Sequence, residues 1–510
     1  MSTSPARRRS AISLAATRAR ALRARRPIPE DPMPHLPSSP PFSDAPAAGG
    51  AVADLPRESR QRASLPGPGR LQLWGGVECT INRVGDAWSD QARFTGHHER
   101  AVEDIRRFEG LGIPLVRYPL LWEAVAPDSL EQPRFEVFDE RMDVLRESRL
   151  EPILGLLHHG SGPHYTSLVD PAFPEKLAAY AAAVAERYPW VTYYTPVNEP
   201  LTTARFSGLY GVWYPHARDH ATFARALVNQ VRGTVLAMAE IRKVNPHAKL
   251  VATDDLGRAT GTEQTRGQVD FENTRRWLSW DLLLGRVTPE HPLHDYLVQK
   301  GGLSVDELRE LADSPCPPDI LGINHYLLSN RFLDSETDWY PGFTHGPRDP
   351  ENGLEYADVP ALETARADSP PLEDILREVW ERYGDLPYAV TEVHIDGDPG
   401  TQLQWLWEVW NAASRLRGEG APLVAVTAWS LLGTYDWNTL CTTPPGGEVY
   451  YEPGVFDVRS GAVRATELTK MVRSLATTGT YRHPALEQEP WWRLESRFRY
   501  ARELREELAS

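Results

Sequence analysis

From residue 71 to about residue 480 the chain alternates two hydrophobic patterns. Short, nearly unbroken apolar runs give way to longer stretches in which apolar residues recur every three to four positions. The short runs are "LQLWGGVE" (71–78), "LVRYPL" (115–120), "PILGLLHH" (152–159), "VTYYTPVNE" (191–199), "KLVATDD" (249–255), "DILGINHY" (319–326), "YAVTE" (388–392) and "LVAVTAWSL" (423–431). Continuous apolar runs of this length are what parallel strands look like when both faces are covered. A helix-like stretch follows each. In "EKLAAYAAAVAERY", Leu177, Tyr180, Ala181, Val184 and Tyr188 fall on one face, as in a helix with one buried side. Eight strand–helix pairs predict an α/β fold, a (β/α)8 TIM barrel. An open, doubly wound sheet is the other architecture such alternation permits. The barrel is preferred because polar residues end many different runs: Glu78, His158, Asn198, Glu199, Asp254, Tyr326 and Glu392. Strand ends converge on one mouth in a barrel, whereas an open sheet spreads them along an edge.

The flanks read differently. Residues 1–70 open on a stretch with eight Arg and no acid and continue rich in Pro, Ser and Gly. Such composition buries too little apolar surface to offset chain entropy, so a disordered tail is expected there. Removing residues 1–70 should leave the melting temperature and ligand binding unchanged; loss of soluble protein in a thermal-unfolding assay would contradict this. Residues 331–371 form a long loop after the sixth strand, with Trp339, Tyr340 and Phe343 in it, and long loops are often functional or disordered. Residues 481–510 are expected to end in an amphipathic helix, "WWRLESRFRYARELREEL", which either docks on the barrel or awaits a partner.

Composition narrows the function. A net charge of −15 argues against nucleic acid as the main partner. No apolar run is long enough for a membrane span. Three cysteines, Cys79, Cys316 and Cys441, are too few for a disulfide framework or zinc cage and favour a reducing, cytoplasmic setting. No metal site is expected. His158 and His159 are adjacent on a strand and should point to opposite faces, and His97-His98 reads as the start of a helix. The 16 Trp and 19 Tyr are, as aromatic abundance usually is, material for a core, though aromatic platforms also stack on sugar rings.

Glu199 ends the fourth run and Glu392 the seventh, so a barrel would set them across one mouth. Two carboxyl groups facing each other over a pocket are what glycosidic-bond cleavage requires. The ordered motifs "WGGVECTINRVGD", "ERAVEDI", "VRYPLLWEAVAP", "PILGLLHH", "TPVNEP", "DILGINHY", "LPYAVTE" and "AWSLLGTYDW" resemble those of glycoside hydrolase family 1, the β-glucosidase and β-galactosidase group. The resemblance runs from Trp74 to about Asp457 and marks a distant member. It implies Glu199 as acid/base and Glu392 as nucleophile, with Arg117 and Tyr326 orienting Glu392 and holding it ionised. It implies sugar contacts from Asn198, His158, Asn324, Trp429 and Trp437. The contacts to the far side of the ring depart from the family: Asn82 stands where it has Gln, Glu78 adds a carboxyl, and Asp436 replaces a Glu. The expected activity is therefore a retaining β-glycosidase, without cofactor or metal, acting on a carbohydrate or glycoside other than plain glucose. A transglycosidase with the same pair and a non-catalytic glycan-binding barrel are the alternatives. The sequence leaves the oligomeric state open.

Overall fold

The computed structural model describes residues 70–344, 346, 353–435 and 450–500. All eight predicted strands form, as β1 (Gln72–Gly76), β2 (Leu115–Pro119), β3 (Glu151–Gly155), β4 (Tyr193–Thr195), β5 (Lys249–Asp255), β6 (Ile320–Asn324), β7 (Tyr388–Val393) and β8 (Leu423–Ala428). Each is hydrogen-bonded to its sequence neighbours, and β1 pairs with β8, so the parallel sheet closes on itself. Every residue of β2, β6, β7 and β8 is buried, which accounts for their unbroken apolar runs. Inside the barrel, Trp74, Leu115, Ile153, Tyr193, Val251, Ile320 and Ala389 pack on one another, the filled interior that this architecture requires.

The predicted helices surround it: α1 (His97–Glu109), α2 (Glu136–Glu147), α3 (Phe173–Arg187), α4 (His220–Val244), α5 (Val305–Asp313), α6 (Leu372–Tyr383), α7 (Pro399–Gly418) and α8 (Glu467–Thr478). α6 buries Leu372, Ile375, Leu376, Val379 and Tyr383, one stripe at helical spacing. Asp398 caps α7 by accepting the Gly400 and Thr401 N–H groups, with Pro399 as the first helical residue, where its missing N–H costs nothing. No described helix is long and apolar enough to cross a membrane.

The strands end sooner than the sequence suggests. The regular part of β4 stops at Thr195 rather than at Glu199; Asn198 still bridges His158 and Thr253 before the chain turns into a short helix, Pro200–Ala204. Two further expectations are corrected. The segment 331–371 is not simply a loop: Arg331–Asp334 pairs in parallel with Ala259–Gly261 and antiparallel with Ala357–Pro360, giving a small sheet beside the mouth. The expected C-terminal helix is also not what the described residues form. Residues 484–497 make three short 3-10 turns, and residues 501–510 lie outside the described range. Tertiary contacts override the helical pattern here. Trp492 meets Trp405 of α7 edge-on at 5.9 Å and donates its indole N–H to Glu408 at 3.1 Å. The segment therefore docks on the barrel. Residues 1–69, the other flank, are outside the described residues.

Candidate active site

The site begins with a backbone oddity. Glu199 has φ +47° and ψ 61°, a left-handed conformation that a non-glycine residue rarely holds and that costs about 1–3 kcal/mol. Pro200 follows as the first residue of the short helix. Asp254, at the end of β5, accepts the Leu201 N–H at 3.0 Å and caps that helix. The turn is also tied to its neighbours by Asn198 N–H donating to Leu157 O at 2.9 Å and Glu199 N–H donating to Thr253 O at 3.0 Å. This framework fixes where the Glu199 carboxyl points.

Glu199 and Glu392 are both buried and line one cavity of about 310 Å³ at the barrel mouth. Their surroundings differ. Glu392 receives two donors: Arg117 Nη1–H at 2.7 Å on Oε1, and the Tyr326 hydroxyl on Oε2. Glu199 Oε1 accepts from Asn324 Nδ2–H at 2.6 Å. Asn324 is oriented in turn by the Thr391 hydroxyl, which donates to its Oδ1 at 2.7 Å. His159 Nε2 lies 3.9 Å from Glu199 Oε2. Burial, with Arg117 nearby, pulls the His159 pKa down to about 3, so it brings no charge. Of the two carboxyls, Glu392 is the one that Arg117 bonds.

Burial raises both carboxyls, against different local partners. Burial, then the Glu392 charge, push the Glu199 pKa well above the usual carboxylate range. Burial also raises Glu392, to about 7, while Arg117 and Tyr326 pull the other way. The expectation that Arg117 and Tyr326 would leave Glu392 with a low pKa is corrected: both act in that direction, but desolvation outweighs them. Of the two, Glu392 is the one with a cation and a phenol favouring its charged form, the asymmetry that suits a proton donor facing an ionised partner.

The remaining predicted residues divide between the cavity wall and the layer behind it. Trp429 and Glu78 line the cavity. The Trp429 indole donates to Glu78 Oε2 at 3.2 Å, and Thr80 N–H donates to Oε1 at 2.8 Å. A Cβ on Gly76 would stand 2.4 Å from the Trp429 ring, so glycine is what lets the indole lie against β1. Behind the wall, His158 stacks on Trp429 with centroids 5.6 Å apart. Asn198 accepts from Arg117 and from the Thr253 hydroxyl, which directs its Nδ2 towards His158 Nε2 at 3.2 Å. Its Nδ2 is also 3.5 Å from His159 Nε2. The two histidines therefore face the same amide rather than opposite sides. They lie past the end of β3, and His159 has φ +56°, so strand alternation does not apply to them. Asn82 is buried in the hairpin of Ile81–Val84 and Ala87–Asp90 and is not among the residues that line the cavity. Asp436 and Trp437 fall outside the described residues.

Two wall residues were not expected from the sequence. Glu452 and His394 both line the cavity and bond each other at 2.8 Å. His394 lies two residues beyond Glu392, and the acidic residue in the apolar "VYYEPGVF" was the available hint of Glu452. Among the described residues, no cluster of His, Cys, Asp and Glu has the arrangement to hold a metal ion.

The chain is 23% identical over 369 residues to β-glucosidase A of Thermotoga maritima, spanning 67% of this chain and 78% of that protein. It is 20% identical over 446 residues to β-glucosidase 25 of Oryza sativa subsp. japonica, spanning 74% and 84% respectively. The chain is a distant relative of the family 1 β-glucosidases. The solved family 1 β-glucosidase from Thermotoga maritima superposes with a TM-score of 0.63 at 17% identity, covering 81% of this chain and 98% of that one. An enzyme from Alicyclobacillus herbarius gives 0.65 at 17% identity, covering 82% of this chain and all of its own length. No family model matches the chain. The distance to family 1 is thus large in sequence while the barrel is shared.

Proposed function

We propose that the protein is a retaining β-glycosidase working by double displacement, with Glu199 as acid/base and Glu392 as nucleophile. The observation that carries the reading is the asymmetry of the pair: two buried carboxyls in one cavity, only one of them held by a cation. Glu392 attacks the anomeric carbon. The bond to the leaving oxygen breaks as Glu199 gives that oxygen its proton. Water, deprotonated by Glu199, then releases the sugar from Glu392. The neutral phenol of Tyr326, whose pKa burial and the Glu392 charge hold well above its ordinary value, remains a donor throughout. The names of the relatives, β-glucosidases and glucan glucohydrolases, support the reaction class.

The sugar is a finer question. Glu78 and the His394–Glu452 pair supply fixed polar groups around the ring site, and a hydrogen-bonding site discriminates strongly against sugars that leave such groups unpaired. A panel of nitrophenyl β-glycosides should show turnover, with a glycone other than glucose preferred. Cellobiose should be a poor substrate, with kcat/KM below about 10⁴ M⁻¹s⁻¹. Efficient cellobiose hydrolysis would overturn the specificity reading and leave the mechanism standing; no hydrolysis of any glycoside would overturn the mechanism.

A further inference from the structure

Outward from the two carboxyls the cavity continues into a chamber of different chemistry. One side is apolar, formed by Phe206 and Tyr210 after β4 and by Leu328 and Leu333 after β6. The Phe206 and Tyr210 rings meet edge to face at 5.7 Å. Phe206 also contacts Trp213 at 4.7 Å, and Trp213 contacts His159 at 5.0 Å. Rings therefore run from the neighbourhood of Glu199 towards the rim.

The chamber also presents arginines. Most are matched one to one: Arg331 with Asp358 at 2.7 Å, Arg499 with Glu363 at 3.3 Å, and Arg205 with Asp255 at 3.9 Å. Arg258 and Arg276 are different. Both line the cavity, and both bond to a single carboxylate, Glu378 of α6, one on each oxygen. Arg382, the next cation, is matched by Asp281. Among the described residues, one positive charge is therefore left over at the Arg258–Arg276 pair. Burial, with Arg258 and Arg382 close by, pulls the Arg276 pKa down to about 9, as expected where cations crowd.

We propose that this chamber receives the leaving group of the glycoside, and that the group is a ring-bearing organic acid whose carboxylate docks on Arg258 and Arg276. The inference rests on the glycosidase reading above and names the aglycone class that reading leaves open. An aromatic body buries apolar area against Phe206, Tyr210 and Leu328. Guanidinium groups present a planar fork that matches a carboxylate. A neutral aglycone of the same shape would fill the apolar side and leave the extra charge without a partner.

The test uses the whole protein and two probes, 3-(4-hydroxyphenyl)propanoate and its primary amide, which share a ring and a shape and differ in charge. In calorimetric titration the acid should bind about tenfold more tightly than the amide, the scale of one charge-assisted hydrogen bond. Arg258→Gln and Arg276→Gln should each bring the ratio towards one. Glu378→Gln removes the competing carboxylate and should tighten the acid further, so this variant moves opposite to any general loss of fold. Equal affinities in the unmodified protein, no acid binding at millimolar concentration, or a preference that survives both arginine substitutions would overturn the proposal. So would a Glu378→Gln protein that binds the acid no better. Hydrolysis of the matching β-glycosides separates the two readings. Acid and amide glycosides cleaved with equal kcat/KM would sink the aglycone assignment alone. Selective binding of the acid without cleavage of any glycoside would sink the glycosidase reading and keep the anion site.

Discussion

Replacing Glu392 by glycine is expected to lower turnover of a nitrophenyl β-glycoside by at least about 10⁴-fold, the scale on which loss of a nucleophile is felt. The carboxyl is buried and held by Arg117 and Tyr326, so its removal leaves a small cavity still facing an N–H and an O–H donor. Azide or formate fits that space and those donors. Either anion should restore activity by attacking the anomeric carbon from the vacated side, while Glu199 still protonates the departing oxygen. The product should be an α-glycosyl azide or formate, inverted relative to the β-substrate, and chromatography with NMR of the anomeric proton reads it directly. Ordinary activity in Glu392→Gly without any added anion, or a rescued product of unchanged configuration, would remove Glu392 from the role.

Glu199→Ala should split substrates by their leaving group. Alkyl glycosides, whose departing oxygen needs a proton, should slow by about 10²–10⁴-fold, the usual worth of general acid catalysis. Dinitrophenyl glycosides need no proton and should still form the glycosyl-enzyme; added azide should then give the β-glycosyl azide. The pH profile carries the same assignment. The active form has Glu392 as carboxylate and Glu199 as acid. In the unmodified protein kcat/KM should therefore rise as Glu392 loses its proton near pH 7. It should fall as Glu199 loses its own, at a pH well above the usual carboxylate range. Two such close groups give apparent values that belong to the pair. With an activated substrate, Glu199→Ala should erase the alkaline limb. An alkaline fall that persists in that variant would assign the acid elsewhere.

The barrel was legible because parallel strands covered on both faces leave unbroken apolar runs, and eight of those are hard to mistake. Their ends were less so: the polar residues after β1, β3, β4 and β6 continue each run by eye but lie past the regular strands, with only single bridges such as His158–Asn198 beyond them. The three-stranded sheet beside the mouth was illegible for a different reason. Its strands are three or four residues long, too short to display a period of two. The C-terminal segment did display a helical period, and contacts with Trp405 and Glu408 overrode it. In the site, Glu199, Glu392 and Tyr326 could be read from position and resemblance together, and Arg117 from the resemblance. Glu452 could not, since it sits on the two-residue strand Tyr451–Glu452. Arg258 and Arg276 could not either: an isolated arginine in a loop reads as a solvated surface group, and only the fold shows that two of them share Glu378. The net pKa of Glu392 was similarly hidden, because sequence supplies the neighbouring cation but not the depth of burial that opposes it.

The docked C-terminal segment also sets an order in time. Its last described residues reach back to the mouth, where Arg499 pairs with Glu363 and Tyr500 packs on Tyr340 at 5.3 Å. The ribosome has made the last barrel strand once it passes Ala428, yet Arg499 is still 71 residues away. At bacterial or eukaryotic synthesis speeds that interval is roughly 4–14 s. A nascent chain in that window already owns every strand of the barrel, both carboxyls and the apolar side of the chamber, while Glu452 and Arg499 of its wall have still to be translated. The two carboxyls are thus encoded well ahead of Arg499, and the segment that docks on α7 carries that wall residue to the mouth.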